Sequence, residues 1–370
     1  MAFSELKTFI KSTFLVALIV TVLFLVFSYF LAMFLGPTLF FFTPEGLNSS
    51  MLYVRELPIW IFTIVGFGVP VRLNVGLFFL LLWSAFAICL VAAWQFRESL
   101  QEVIGKSFSC PMKKLFNNCL FAVPILASMI LIAVIAITEL QKAGGVQTGE
   151  ASLPSNPFEA FFWLSYAALA EEIGFRVIPI GAFLIIYLFW VRRKNAVTLS
   201  LGQRLKLFLT APLFPDEGKK MVGLRTVGDF GVRGGITLGE WVMVFFTSIV
   251  FGLAHYLLGG GWEIGKITSA SVVGLAMSLT YLLYGVQAPI LLHWFFNHYL
   301  WFFNPSEQGG LQFVSKLYPD LPLVFALAEL AIIILGVLGW LTFAILGLRK
   351  MFRSIAKRAK SRLMSLLRAS

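Results

Sequence analysis

Ala170-Glu171-Glu172-Ile173-Gly174-Phe175-Arg176 sets two carboxylates and a guanidinium inside an apolar run that extends from Phe158 to Val191. A charged side chain at bilayer depth costs about 2.5–3.5 kcal/mol on insertion scales unless it faces protein or water. Three charges this close together are kept for a purpose. On a helix Glu172 and Arg176 are four apart and share a face, so they are predicted to pair. Glu171 is turned roughly 100° from its neighbour and is left to face a water. The run is longer than the roughly 20 residues of a straight crossing, and Pro179 and Gly181 offer a place for it to kink.

Working outward, the chain of 370 residues is 59% hydrophobic and 13% charged, with a mean hydropathy of +0.88. An average soluble domain is roughly 25% charged, so the predicted class is an all-α membrane protein with about eight transmembrane helices. The expected spans are Phe14–Leu35, ended by Gly36-Pro37, then Leu73–Phe96, Cys119–Thr138 and the 158–191 run. Leu238–Leu258, Ile267–Tyr284, Val286–Phe303 and Leu321–Leu348 complete the set. The apolar piece Ile59–Val71 is too short to cross and reads as a re-entrant or interfacial segment. Residues 192–238 form a basic loop whose first half (196–214) suits a membrane surface. Its glycine-rich second half reads as turns or a small hairpin, with no phosphate-binding pattern. The tail 349–370 alternates basic residues with Phe352, Ile355, Leu363, Leu366 and Leu367, as a basic amphipathic helix on an anionic leaflet would. The organisation expected is N-terminal spans over 1–150, a motif-bearing core over 151–304, a last span over 305–348 and the tail.

The formal charge of +11 is not a nucleic-acid signature, because the basic residues follow the loops. With the N-terminus inside, the inner segments hold 23 Lys and Arg and the outer loops hold 5, Arg176 being the remaining one of 29. That split obeys the positive-inside rule and puts both termini in the cytoplasm. Cys89, Cys110 and Cys119 have no metal-ligand spacing and read as unpaired small hydrophobes.

All three histidines fall in late spans. His255 closes Phe251-Gly252-Leu253-Ala254-His255, and His293-Trp294-Phe295-Phe296-Asn297 puts His293 and Asn297 on one face. His298 is turned away toward the end of its span and is expected to meet a neighbouring helix or headgroups. Glu329 in the last span reads as a helix-contact or cavity-lining group. Peptide hydrolysis needs a base, a water and donors for the developing oxyanion, and Glu171, His255, His293 and Asn297 supply these types from three spans. No nucleophile elbow and no H-E-x-x-H are present, which favours attack by water over a covalent route.

The three pieces E-E-x-x-x-R (Glu171, Glu172, Arg176), F-x-x-x-H (Phe251, His255) and H-x-x-x-N (His293, Asn297) occur in order on separate spans. In this the chain resembles the CPBP (Abi) family of intramembrane proteases, whose type II CAAX prenyl endopeptidases cleave near the C-terminus of prenylated polypeptides. The resemblance implies an eight-helix endopeptidase in which Glu171 and His255 activate water and His293 and Asn297 stabilise the oxyanion. Glu172, Arg176 and Phe251 then support the site or contact substrate. It implies a membrane-associated or prenylated polypeptide as partner, in the cell membrane or endoplasmic reticulum, and a wet cavity reached from the cytoplasm or from lipid. No cofactor is expected, although Glu171, His255 and His293 also make up a 2-His-1-carboxylate zinc set. Two other classes use the same residues: a non-catalytic immunity or scaffold protein of the same fold, and an ion-coupled transporter.

Overall fold

The computed structural model describes residues 3–61, 65–109, 112–194, 199–258, 260–306 and 309–369. Among them, seven helical stretches are long and apolar enough to cross a membrane, from Thr8–Phe42 to Leu321–Ala356. The chain is an all-α membrane protein carrying one small sheet. The expected eighth span is a helical segment of three geometries, α13 (Gln287–Trp294), a π turn (Phe295–Tyr299) and a 3₁₀ turn (Leu300–Phe303). It is walled in by the other helices, with His293, Trp294, Phe295, His298 and Tyr299 all buried.

The first helix, α1 (Phe3–Phe42), runs through Gly36-Pro37 instead of ending there. Proline lacks the N–H that would bond the carbonyl four residues back, which here is Met33. The indole Nε1 of Trp83 donates to that carbonyl at 2.7 Å. A Cβ on Gly36 would run into the Trp83 ring, so the glycine lets the indole reach its acceptor. A short α2 (Pro44–Ser50) leads to strands β1 (Tyr53–Ile61) and β2 (Val65–Asn74), paired antiparallel with Leu57 opposite Val69. The expected re-entrant or interfacial segment 59–71 is therefore most of a β-hairpin. Its valines, isoleucines and aromatics favour strands, while Phe62 to Ile64 lie outside the described residues.

Next come α3 (Val75–Gln95), α4 (Leu100–Gly105) and α5 (Cys119–Ala143). Then α6 (Pro157–Glu172) passes through a π turn (Ile173–Val177) into α7 (Pro179–Lys194). Residues 201–235 are helical, not a hairpin: α8 (Leu201–Leu213), α9 (Pro215–Met221) and α10 (Val227–Gly235). Gly223 follows α9 at φ 73° and Gly231 breaks α10 at φ 70°, conformations that glycine adopts without strain. On α8, Leu201, Leu205, Phe208 and Leu209 are exposed together while Leu207 and Ala211 are buried. The remaining helices are α11 (Leu238–Leu257), α12 (Lys266–Tyr284), α14 (Leu311–Leu317) and α15 (Leu321–Ala369). The basic tail continues α15 without a break, so it is not a separate surface helix. Its Leu363, Leu366 and Leu367, and likewise Cys110, lie outside the described residues or side chains. Cys89 and Cys119 are free and buried.

One aromatic core joins the early and late spans. Phe40 stacks on Phe79 with centroids 4.1 Å apart, and Phe161 lies against Trp301 and His298. His298 is fully buried there, its Nδ1 3.1 Å from the Ser165 hydroxyl and its ring 5.7 Å from that of Trp294. It bridges two helices inside the protein and meets no headgroups. Glu329 is exposed on α15 and is not among the residues that line the cavity described below.

Candidate active site

Two helix breaks and two glycines build the site. The π turn after Glu172 ends α6 in mid-bundle, and the second one carries Asn297. Single π turns inside helices insert an extra residue and often occur where side chains must be re-aimed. Helices α11 and α12 approach backbone to backbone because Gly252 faces Ile267 and Ser271, where a Cβ would collide with both. Small residues at such a crossing are the usual means of close packing in membranes. A Cβ on Gly274 would sit 3.2 Å from Phe251 and 3.3 Å from the Arg176 guanidinium, so this glycine makes room for the arginine.

Glu172 and Arg176 are both fully buried and paired at 2.9 Å. The guanidinium also donates to the Gly274 carbonyl at 3.4 Å and lies over the Phe251 ring at 4.3 Å. Phe251 in turn presents its ring near-perpendicular to Phe175, His255 and His293. This second-motif phenylalanine is the spacer around which the arginine and both imidazoles are set.

The Nδ1 of His293 is 2.8 Å from Glu172 Oε1, and an ionised carboxylate only accepts, so Nδ1–H is the donor. The other ring nitrogen, Nε2, then points past it to Glu171 Oε2 at 3.9 Å. The Nδ1–H of His255 donates to its own helix, at the Phe251 carbonyl, 2.8 Å away. Both imidazoles are thus tied down at one nitrogen, which fixes the tautomer and leaves Nε2 for chemistry. Asn297 donates through Nδ2 to the Leu164 carbonyl at 3.3 Å, keeping its second amide hydrogen free.

Glu171, His255, His293 and Asn297 line one cavity of about 310 Å³, together with Leu164, Ala167, Phe175 and Ala254. That is room for on the order of ten waters, or a short length of peptide. Glu171, His255 and Asn297 are each part-exposed and His293 is nearly buried. Glu172, Arg176 and Phe251 do not line the cavity. The structure brings the four chemistry-bearing residues together and puts the other three behind them. Among the described residues no three His, Cys, Asp or Glu side chains are grouped as a metal ion would require.

Residues 153–299 match the family model described as type II CAAX prenyl endopeptidase Rce1-like. Over these residues the chain is similar to the Rce1-like type II CAAX prenyl endopeptidases, as a CPBP-type intramembrane protease would be. This domain begins in the loop before α6 and ends within the π turn that bears Asn297, so it takes in every residue of the three motifs. It supports a peptidase in a multi-pass membrane protein. No curated protein and no solved structure matches the chain.

Lys266 and Trp262 also line the cavity of this domain, with the lysine ammonium 3.5 Å from the centroid of the Trp262 ring. Sequence reading counted Lys266 only as a loop charge. The available signal was its position eleven residues after His255, at the start of the next span. Ala151, Leu258 and Gly260 complete the lining from the two loops at that end of the bundle.

Proposed function

We propose that the domain is an intramembrane endopeptidase that cleaves near the C-terminus of a prenylated or otherwise membrane-associated polypeptide, by glutamate- and histidine-activated water. The observation that carries this reading is one cavity lined by the part-exposed Glu171 carboxylate and two imidazoles, each imidazole anchored through Nδ1. Glu171 takes a proton from water, with Nε2 of His255 sharing it, and the hydroxide oxygen adds to the scissile carbonyl carbon. The resulting oxyanion accepts from the free amide hydrogen of Asn297 and from Nε2 of His293 when that ring carries its second proton. Such a donor is commonly worth 10²–10³ in rate. The proton held by Glu171 and His255 then passes to the amide nitrogen, the C–N bond breaks, and a carboxylate and an amine leave. Glu172 acts on His293 and Arg176 acts on Glu172, so both are positioning residues.

The test is a panel of quenched prenylated peptides against the purified full chain. Glu171→Gln and His255→Ala are each expected to abolish cleavage with the elution profile and melting behaviour retained. Undiminished cleavage by folded Glu171→Gln refutes the mechanism.

A further inference from the structure

One charged group in the cavity lining has no part in the chemistry proposed above. Lys266 is the single Lys or Arg among the lining residues, and among the described residues no carboxylate lies within 4.0 Å of its ammonium. What the ammonium does touch is Trp262, whose ring centroid is 3.5 Å from Nζ. The Trp262 ring is in turn 6.4 Å from that of His255, so the cation is held within one indole of the imidazole. Lys266 gains nothing from its place on the helix. It is the first residue of α12, the end at which the macrodipole favours anions and works against a cation.

Backbone, not side chain, builds this position. The loop before α6 and the loop after α11 are zipped together, with Gly149 opposite Trp262 in an antiparallel bridge. Ser152 donates to the Gly260 carbonyl at 2.7 Å, Glu263 to Thr148 at 3.0 Å and Gly265 to Gln147 at 2.9 Å. Gly149 and Gly261 take φ 67° and 82°, and a Cβ on either would collide with the backbone of the opposite loop. From α5, Gln141 donates to the Gly265 carbonyl at 2.9 Å. None of these bonds uses the lysine side chain, so it can be exchanged with the frame in place. The same loops make the mouth of the cavity, where Leu258 is 53% exposed.

We propose that Lys266, laid over Trp262, receives the free C-terminal carboxylate of the polypeptide and is the specificity-determining residue of the site. This rests on the proteolytic reading above. Arg176, the cation that the first motif supplies, is fully buried against Glu172 and does not line the cavity, so a carboxylate could reach it only by breaking that pair. Lys266 requires no such exchange. Its ammonium carries three donors and faces the cavity with an indole for company, and an arriving carboxylate brings the negative charge that both the ammonium and the start of α12 favour. From there the peptide runs inward to Glu171 and His255, between the apolar walls of Leu164, Ala167, Phe175 and Ala254.

The experiment uses the full chain in micelles and quenched prenylated peptides identical except at the terminus, which is a free acid, an amide or a positively charged aminoethylamide. Wild type is expected to cut the free acid with a KM on the order of ten- to a hundredfold below that of the amide, the worth of a hydrogen bond to a charged group, at similar kcat. Lys266→Gln is expected to level the two KM values, Lys266→Arg to keep most of the preference, and Lys266→Glu to favour the aminoethylamide, a reversal that a merely structural lysine would not give. Equal KM values for acid and amide in wild type overturn the proposal, as does a Lys266→Gln effect that is the same on both peptides. So does an effect that appears only when anionic lipid is added to the micelles, which would make the lysine a headgroup contact. Cleavage of no peptide at all removes the proteolytic reading instead; fluorescence anisotropy of the dye-labelled acid and amide on wild type and Lys266→Gln then decides the carboxylate site, upheld by tighter binding of the acid that Lys266→Gln abolishes and overturned by equal binding.

Discussion

Replacing the buried pair one residue at a time, and then together, separates what holds the bundle from what serves the reaction. Arg176→Met leaves Glu172 fully buried with only His293 for company, and Glu172→Leu strands the guanidinium against Gly274 and Phe251. Breaking a buried pair from one side costs about 3–5 kcal/mol, whereas exchanging both partners for apolar residues is often neutral. The double variant therefore regains most of the loss. What it does not regain is the acceptor for the Nδ1–H of His293, a buried donor whose stranding costs about 1–3 kcal/mol. The expected pattern in denaturant titrations of micelle-embedded protein, followed by tryptophan fluorescence, is two strongly destabilised single variants and a double variant within about 1–3 kcal/mol of wild type. At 1.36 kcal/mol per tenfold, a single loss of 3 kcal/mol shifts the folding equilibrium by more than a hundredfold, well within reach of the assay. Peptide cleavage by the double variant stays at the level of the Glu172→Leu single, because in both His293 has lost the carboxylate that aims it. A double variant as unstable as the sum of the singles refutes the pairing argument, and one with wild-type turnover refutes the positioning role of Glu172.

Gly252→Val forces a side chain into Ser271 and the Ile267 carbonyl, and is expected to part α11 from α12 and remove cleavage; unchanged turnover in folded protein would show that the crossing does not position His255. Trp83→Phe strands the Met33 carbonyl and should cost about 1–3 kcal/mol, while Pro37→Ala restores an N–H to that carbonyl and should recover part of the loss in the double variant. Lys266→Gln removes the cation at the cavity mouth and should raise KM for peptides with a free C-terminal carboxylate while leaving amidated peptides unaffected; equal effects on both would make the lysine structural. Dialysis against a strong chelator is expected to leave cleavage intact, and activity lost then restored by zinc would replace the glutamate–water mechanism with a metal one.

Much of this was legible because lipid leaves few choices. Seven of the expected stretches fall on helices long and apolar enough to cross a membrane, although α1 runs past Gly36-Pro37 to Phe42 and α15 runs on into the tail, and the spacing of Glu172 and Arg176 gave their pairing directly. The order of three short motifs pointed to the residues that share the cavity. What escaped the sequence was set by tertiary contacts. Pro37 reads as a helix end until Trp83, 46 positions later in the chain, supplies the missing donor. For His298 the sequence leaves a neighbouring helix and headgroups both open, and Ser165 with a cage of aromatic rings decides for the helix. The hairpin at 53–74 was hidden because short apolar runs bounded by prolines carry no period that separates strand from helix. Lys266 was missed because a loop charge and a cavity charge look alike until the loop is folded.

The π turn at Ile173–Val177 also governs what mutation of length can do to this chain. Beyond it, Ile180, Leu184, Leu188 and Val191 keep a regular inward stripe, because the turn takes up the surplus residue locally. Deleting Gly174 would remove the surplus residue and let the turn relax to ordinary winding with that stripe still facing inward, whereas a further insertion that the turn could not hold would swing every later side chain by about 100°. Loss of one position between the paired glutamates and Pro179 therefore removes the local widening beside Glu172 while the half-helix beyond keeps its packing, and gain of one turns that half toward lipid.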